Sequence, residues 1–472
     1  MSEEVRHLLW GPSAVYESEV ETRWKLEDFR FSDQDAAPSW ALIQQHGGPC
    51  GVFAPVQGLL LARLGSNIHA KLTPAERDEL LASVLADLLI QATESTSDPI
   101  WLVDSAQVTA TSTSFTPLQI PRDNLPAQVL SFLVQGHKDV LSFVYSLMLT
   151  RRLDRLRDDM DDPDSSLTGG QFGHGTQELL NLMLTGRATS NVFDGTVPMG
   201  DSGLALRGVD ARPVAGYLTH LEALRYCTVG SFYKMPQAPV WVLGSSSHFT
   251  VLFATDPSLC EESTSDALLA KVQRAFKQFD TMESGFIPID ALSGCLKSLG
   301  VDSAILDNQF QMGRLFSKIE VPGAGIVLWE DFWRVVSILL ETNDLNQALE
   351  GKVRKKRSDS DIARELQAQF DGITAVPNVA EQPMTLDDEE EHVKSVVLYH
   401  YNGLVDAKKN QGLPRLVQFQ AKIPTKNRVG YSVPMVDTSH SGGHGCPIED
   451  VLKTKWPGIS IDWAGQTPPS LD

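Results

Sequence analysis

The sequence predicts an α+β fold that is interrupted by an all-helical insertion. Apolar residues recur at helical spacing through much of the first 230 residues, and strand-like runs occur from residue 239 and again from residue 394. A stretch of helical character stands between these two groups of strands. The chain has 472 residues and a 42% hydrophobic composition, which is enough for two or three domains with cores of their own.

The charge and the cysteines restrict the classes of partner. Lys and Arg number 40 against 60 Asp and Glu, so the formal net charge is −20 and binding to nucleic acid through phosphate contacts would be opposed. The five cysteines include no C-x-x-C pair, the N-terminus lacks the order of a signal peptide, and no apolar run reaches the ~20 residues that span a bilayer. We therefore expect a monomer in the cytoplasm, with free thiols, that binds neither membrane nor nucleic acid.

The first 230 residues are predicted to be rich in helix. Residues 74–95 carry apolar residues at helical spacing, with Pro74 near the start and acidic residues in the first turns, and residues 127–158 have the same character. In PVWVLGSSSHFTVLFATD (239–256), two apolar runs flank a Gly-Ser-Ser-Ser step, which is typical of strand, tight loop and strand. Further strands are predicted at 394–400 and 415–420.

The insertion, residues 266–345, begins with the helix, twelve-residue loop and helix of an EF-hand, with Asp280 at loop position 1 and Gly285 at position 6. Four ligand positions of its two loops hold residues that cannot coordinate calcium: Met282, Ala291, Pro322 and Ala324. Elsewhere, HSGGHGC (440–446) lacks a fourth ligand at zinc-like spacing. We therefore predict no metal and no cofactor, and disfavour a calcium-responsive adaptor.

Residues 346–392 are polar and charged, with few aromatic residues, and predict a flexible linker. The basic cluster KVRKKR (352–357) in this linker is a candidate nuclear-import signal, so that a location in the nucleus as well as the cytoplasm stays open. Short basic runs in linkers are also commonly just solvated.

The stretch IQQHGGPCGV (43–52) places Cys50 directly ahead of an apolar run that predicts a buried helix. The unpaired N–H groups and the dipole at a helix N-terminus stabilise a thiolate, so we expect a low pKa for the Cys50 thiol. Gly47 and Gly48 allow a sharp turn, and Pro49 suits the beginning of a helix because its missing N–H is not needed there. The segment predicts an exposed elbow that carries a nucleophile.

Two distant side chains complete a candidate hydrolytic site. Gln44 stands six residues before Cys50, a spacing from which its amide can donate to an oxyanion together with the Cys50 N–H, as in papain-like proteases. His248 stands where a loop enters an apolar strand and is a candidate general base. The set predicts a papain-like cysteine protease fold. The residue that orients His248 is left open between Asp256 and Asn402.

Several segments resemble the MINDY family of deubiquitinases. The resemblance is carried by GGPCGV (47–52), GHGTQELLNLMLTGRATSNVFDG (173–195) and YKMPQAPVWVLGSSSHFTVLF (233–253), and it returns in YNGL (401–404) and KTKWPGISIDW (453–463). The chain resembles in particular the shorter branch of the family, which carries an EF-hand-like insertion. This resemblance covers sequence on both sides of the insertion.

The resemblance implies cleavage of isopeptide bonds in ubiquitin chains, preferentially those joined through lysine forty-eight of ubiquitin. It implies Cys50 as nucleophile, His248 as general base and Gln44 as oxyanion stabiliser. Within SDSDIARELQAQF (358–370), three residues at helical spacing resemble the ubiquitin-interacting helix of the family: Ile362, Ala363 and Leu366. A catalytically inactive scaffold that binds ubiquitin chains is the alternative.

These expectations divide the chain into four parts. Residues 1–265 and 393–472 are predicted to form the two parts of a papain-like α+β catalytic domain. Residues 266–345 are predicted to form the EF-hand-like subdomain. Residues 346–392 are predicted to form the flexible charged linker, with the candidate ubiquitin-interacting helix at 358–370 inside it.

Overall fold

The computed structural model describes residues 2–11, 19–107, 114–170, 173–199, 204–261, 264–280, 284–351, 393–405, 413–424 and 446–471. These residues fall into two compact units. The first unit contains the described residues up to 261, those of 393–424 and those of 446–471. The second unit contains the described residues of 264–351.

Helices and strands are numbered here in chain order over the described residues. The helices are α1 (Ser2–Trp10), α2 (Glu19–Leu26), α3 (Cys50–Leu64), α4 (Pro74–Gln91), α5 (Leu125–Val129), α6 (Val140–Arg151), α7 (Leu153–Asp159), α8 (Gln177–Thr185), α9 (His220–Ala223), α10 (Ser231–Lys234), α11 (Thr264–Phe279), α12 (Leu292–Ser298), α13 (Ser303–Leu306), α14 (Gln309–Ile319), α15 (Trp329–Thr342), α16 (Leu345–Glu350) and α17 (Pro447–Lys455). The strands are β1 (Arg30–Phe31), β2 (Leu42–Ile43), β3 (Ile100–Leu102), β4 (Leu118–Ile120), β5 (Thr168–Gly169), β6 (His174–Gly175), β7 (Thr196–Pro198), β8 (Ala205–Arg207), β9 (Gly216–Thr219), β10 (Val240–Gly244), β11 (Phe249–Phe253), β12 (Phe286–Pro288), β13 (Ile326–Leu328), β14 (Val393–Asn402), β15 (Arg415–Pro424) and β16 (Ser460–Asp462).

A six-stranded sheet forms the frame of the first unit, in the order β16, β15, β14, β11, β10, β9. Only β9 and β10 pair in parallel, and the other neighbours are antiparallel. Because successive side chains of a strand point to opposite faces, the sheet serves two cores. One core contains Val242 and Val251 with residues of α3, and the other contains Leu243 and Leu252 with residues of α17. This mixed architecture confirms the predicted α+β class.

The helix predicted at 74–95 is confirmed as α4, and its start follows from local chemistry. Thr73 accepts the N–H of Glu76 while the Glu76 carboxylate accepts the N–H of Thr73, a capping box, and Pro74 takes the first helical position. The prediction for 127–158 is only partly right, because the segment is broken. Asp139 caps a new helix, α6, by accepting the N–H of Ser142, and Arg152 at φ 77° separates α6 from α7.

The second unit has two halves of similar layout. In each half a helix leads through a loop and a short strand into another helix: α11, β12 and α12 in the first half, and α14, β13 and α15 in the second. β12 and β13 pair antiparallel, with Phe286 opposite Leu328. Between them, Ile287 and Val327 are buried in a core that belongs to this unit.

The sheet of the first unit contains strands that precede the second unit in the sequence and strands that follow it. β11 pairs antiparallel with β14, so that Val251 lies opposite Tyr401. Near the place where the chain leaves the sheet, Lys394 Nζ lies 3.0 Å from Asp256 Oδ2. In the part of the chain that the structure describes, no helix is long and apolar enough to cross a membrane.

Candidate active site

Cys50 is the first residue of α3, which confirms the helix start predicted from the sequence. Pro49 precedes the helix, and Gly48 has φ 130°, a conformation that favours glycine, so the elbow needs a glycine at this position. The thiol is buried, with 1% of the residue exposed, and its Sγ lies 3.8 Å from the carbonyl oxygen of Gly48. The segment was predicted to be exposed, and for the sulfur of Cys50 this prediction is wrong.

The expected low pKa of the Cys50 thiol is also wrong. Burial raises the pKa to about 11, because a thiolate would lose its water, and this outweighs the backbone N–H groups of Phe249, Gly51 and Cys50, which lower it. At pH 8 a pKa of about 11 leaves about one thiol in a thousand ionised. In the free protein, the thiol of Cys50 at the start of α3 is therefore predominantly neutral.

His248 directly precedes β11, as the sequence indicates, and is buried. Its main chain is fixed in the turn between β10 and β11, where Ser245 Oγ accepts the His248 N–H at 2.9 Å and the His248 carbonyl accepts the Ser245 N–H at 2.9 Å. The next residue, Phe249, contributes the backbone N–H that acts on the Cys50 thiol. His248 is therefore adjacent in sequence to a residue of β11 that contacts the Cys50 thiol.

Asn402, one of the two residues considered for orienting His248, lies within hydrogen-bonding distance of its ring. The oxygen Oδ1 of Asn402 lies 3.0 Å from His248 Nε2 and also accepts the N–H of Leu404 at 2.9 Å, which identifies it as an acceptor. With Oδ1 as the acceptor, Nε2 of His248 is the donor of this hydrogen bond. Asp256 instead accepts hydrogen bonds from Ser258 and pairs with Lys394, contacts that hold the pKa of its carboxyl below the usual range.

The backbone of Gln44 pairs with the segment that directly follows Asn402. Its N–H donates to the carbonyl of Gly403 at 2.9 Å, and its carbonyl accepts the N–H of Val405 at 2.9 Å. The side-chain Nε2 donates to the carbonyl of His46 at 2.5 Å. One N–H of the amide is thus engaged within the loop that leads to Cys50.

A small cavity of about 20 Å³ lies between these elements. It is lined by residues from β2 and the segment after it, α3, β11 and the end of β14, including Gln44, His248 and Tyr401. This volume can hold about one water molecule but not an extended peptide. The candidate general base His248 and the candidate oxyanion donor Gln44 therefore line the same small cavity.

Other buried polar side chains, which were not predicted from the sequence, hold the backbone on both sides of Gln44. Gln57 of α3 accepts the N–H of Leu42 at 2.8 Å, and Tyr401 Oη donates to the Leu42 carbonyl at 2.6 Å. The buried carboxylate of Glu27 accepts the N–H groups of Gln45 and His46. A single sequence holds no local signal for these roles, since the partners are distant in the chain.

A second buried histidine, His400, lies on β14 two residues before Asn402. Its Nε2 is 2.9 Å from Thr250 Oγ1. Burial, with smaller effects of Arg415 and His248, lowers the pKa of His400 to about 3. His400 is therefore neutral at physiological pH and too weak a base to share the role considered for His248.

Some predicted residues lie outside the residues that the structure describes. These are the candidate helix 358–370 with Ile362, Ala363 and Leu366, the basic cluster 352–357, Met282 of the first loop, and residues 440–445 of the segment HSGGHGC. Within the described ranges, no group of three or more His, Cys, Asp or Glu side chains is placed to hold a metal ion.

Comparison with known proteins gives relatives over the full length of the chain. The family model of the "Deubiquitinating enzyme MINDY-3/4, conserved domain" matches residues 6–270. The human protein "Ubiquitin carboxyl-terminal hydrolase MINDY-3" is 29% identical over 100% of this chain and 99% of its own length. The protein of the same name from Xenopus tropicalis is 30% identical over 99% of this chain and 98% of its own. No solved structure gives a significant match.

Proposed function

The chain belongs to the MINDY-3/4 family of cysteine-type deubiquitinating enzymes, and on that premise we propose that it hydrolyses isopeptide bonds in polyubiquitin. We propose further that it prefers chains joined through lysine forty-eight of ubiquitin, as its resemblance to the family implies. The observation that carries the proposal is the contact of His248 Nε2 with Asn402 Oδ1 beside the helix that begins at Cys50. In the proposed reaction, this contact keeps a proton on Nε2, and Nδ1 acts as the base.

In the proposed reaction, His248 Nδ1 takes the proton of the Cys50 thiol while the sulfur attacks the isopeptide carbonyl carbon. The oxyanion of the tetrahedral intermediate accepts hydrogen bonds from the Gln44 amide and the Cys50 N–H. The protonated His248 then gives its proton to the leaving lysine amine, and a thioester remains on Cys50. Water, deprotonated by His248, hydrolyses this thioester and releases the ubiquitin carboxylate.

The burial of Cys50 favours one variant of this chemistry. Because burial raises the pKa of the thiol to about 11, a preformed thiolate and imidazolium pair is disfavoured in the free protein. The proton therefore moves to His248 in the same step in which the sulfur attacks. Asn402 supports this transfer by holding the ring in the tautomer that leaves Nδ1 basic.

The test compares the full-length protein with Cys50→Ala on long ubiquitin chains of defined linkage. We expect the wild type to cut chains joined through lysine forty-eight fastest and the variant to cut none. Cys260→Ala is the matched control, because Cys260 is also buried but belongs to the core on the α17 face of the sheet. Equal cleavage by wild type and Cys50→Ala, or by neither, would remove Cys50 as the nucleophile.

A second candidate function is a scaffold that binds ubiquitin chains without cutting them. The buried thiol and the small cavity favour it. A ubiquitin that carries a C-terminal electrophile separates the two candidates, since only an activated Cys50 forms the covalent adduct. Absence of the adduct in the wild type, together with retained chain binding, would support the scaffold.

We propose that the first unit is a papain-like catalytic domain built from residues 1–265 and 393–472, and that residues 266–345 form an EF-hand-like pair without calcium. The paired strands β12 and β13, each between two helices, support the second assignment. Residues 346–392 are proposed as a linker whose segment 358–370 binds ubiquitin. For the whole chain we propose a monomer in the cytoplasm that takes no cofactor, with a location in the nucleus left open.

A further inference from the structure

Glu27 is a buried carboxylate next to the proposed active site that has no part in the reaction as written above. We propose that Glu27 and His46 form a clasp that aims the side-chain amide of Gln44 at the oxyanion. In this role Glu27 is a positioning residue, because it acts through Gln44 and does not touch the reacting atoms. The inference rests on the proposed function of Gln44 and Cys50.

The clasp consists of short contacts to a carboxylate that is 2% exposed. Oε1 of Glu27 accepts the N–H of His46 at 2.6 Å and lies 2.6 Å from His46 Nδ1, while Oε2 accepts the N–H of Gln45 at 3.1 Å. A buried carboxylate is costly unless it is hydrogen-bonded, so the loop and the carboxylate stabilise each other. Glu27 itself is fixed, since its carbonyl accepts the N–H of Val140 at the start of α6.

His46 transmits this constraint to Gln44. The carbonyl of His46 accepts a hydrogen bond from Gln44 Nε2 at 2.5 Å, so the residue that Glu27 holds through its N–H binds the Gln44 amide through its carbonyl. The last torsion of a glutamine side chain has broad minima, and an amide without a fixed partner would turn. With one N–H bound to His46, the second N–H has a defined direction, which is what a preorganised oxyanion donor requires.

A merely structural role for Glu27 predicts different behaviour from the clasp. If Glu27 only stabilised the loop, its loss would lower activity by a factor independent of Gln44. If it acts through the amide of Gln44, its loss has no further effect once that amide is gone. The coupling between the two residues therefore separates the two roles.

The experiment measures kcat for cleavage of long ubiquitin chains with the full-length protein and three variants: Gln44→Ala, Glu27→Gln and the double variant. We expect Gln44→Ala to lower kcat by about 10²-fold to 10³-fold, the usual cost of one oxyanion donor. Glu27→Gln should lower kcat by about tenfold to a hundredfold with little change in KM, and the double variant should be no slower than Gln44→Ala alone.

Glu21→Gln is the matched control. Glu21 is 1% exposed and binds Arg6 at 2.7 Å, so its loss removes a buried carboxylate without touching the loop. We expect it to lower the unfolding temperature but to leave kcat within about twofold of the wild type. Unfolding temperatures of all variants are measured alongside.

His46→Ala covers the case in which Glu27→Gln does not fold. The ring of His46 is 47% exposed, so its removal deletes the contact of Nδ1 with Glu27 at little cost in packing and leaves the contact of the His46 backbone N–H in place. It should lower kcat several-fold, with no effect in the Gln44→Ala background. A wild-type kcat in both Glu27→Gln and His46→Ala, or losses that add to that of Gln44→Ala, would overturn the clasp while the proposed function stands. Failure of the wild type to cut chains would overturn both.

Discussion

At the scale of single residues, Asn402 determines which nitrogen of His248 is basic. Its Oδ1 accepts the N–H of Leu404 and binds Nε2 of the histidine, so the amide cannot turn its NH₂ group toward the ring without losing a hydrogen bond. In the proposed reaction, the same contact holds the imidazole in place as the thiol proton arrives. Asn402 thus contributes to the orientation of the ring and to its tautomer.

Replacing Asn402 with Ala should lower kcat for chain cleavage by about tenfold to a hundredfold, a part of the 10²–10⁴ that a positioned base contributes. The reason is that the ring loses the partner of Nε2 and the preferred tautomer. Asp256→Asn is the control, since Asp256 binds Ser258 and Lys394, and we expect kcat within about twofold of the wild type. A larger loss from Asp256→Asn than from Asn402→Ala would assign the orienting role to Asp256.

The residue types of the site could be predicted from the sequence, but their environments could not. Gln44, Cys50 and His248 have spacings and neighbours that indicate cysteine chemistry, although their catalytic roles stay predictions. The pKa of Cys50 was mispredicted because the helix N-terminus is a local feature, whereas the burial that raises the pKa depends on tertiary packing. Asn402 could be named but not chosen, since its contact with His248 spans 154 residues of sequence.

At the scale of elements, the loop between α11 and β12 uses its first acidic residue for its own structure. The carboxylate of Asp280 accepts the N–H and the hydroxyl of Ser284 and the N–H of Gly285, each at 2.8 Å. These are the oxygens that the first ligand position would offer to a cation. The carboxylate therefore closes the loop by hydrogen bonds to residues four and five positions further along the chain.

Calorimetric titration of the full-length protein with calcium should show no site of micromolar affinity. The physical reason is the shortage of oxygen ligands, with Ala291 at the position of the bidentate carboxylate and Pro322 and Ala324 in the second loop. A variant with Met282→Asp and Ala291→Glu is the matched control and should gain measurable binding. Micromolar binding by the wild type would contradict the metal-free assignment.

Local sequence signals located some elements well and others poorly. The start of α4 follows from Thr73, Pro74 and Glu76, which all lie within four residues. The breaks in 127–158 were missed because apolar spacing continues through them, while the cap at Asp139 and the positive φ of Arg152 interrupt the backbone. Periodicity reports which side of the chain is buried, not where a helix must restart.

At the scale of the whole molecule, the sheet of the first unit is built from strands that precede the second unit in the sequence and strands that follow it. β11 and β14 pair directly, and Lys394 near the start of β14 contacts Asp256 just after β11. The second unit has its own buried core. Within the first unit, the residues that flank the second unit in the sequence therefore lie close together, as is usual where a domain is inserted.

Replacing residues 263–392 with a short Gly-Ser linker should leave a first unit that folds and keeps a reactive Cys50. The expectation follows because both cores of the first unit are formed without residues of the second. Cooperative thermal unfolding by circular dichroism and reaction with the ubiquitin electrophile are the measurements. A shortened protein that is unfolded, in the presence of a folded full-length control, would contradict the proposed division.

The pairing of β11 with β14 also has a consequence during synthesis. His248 leaves the ribosome 154 residues before Asn402, the side chain that orients it. At about 5–20 residues per second, roughly eight to thirty seconds of translation separate the two. If Asn402 orients the base as proposed, a nascent chain carries its nucleophile and base through this interval without a competent active site, and proteolytic activity begins only when nearly the whole polypeptide has been made.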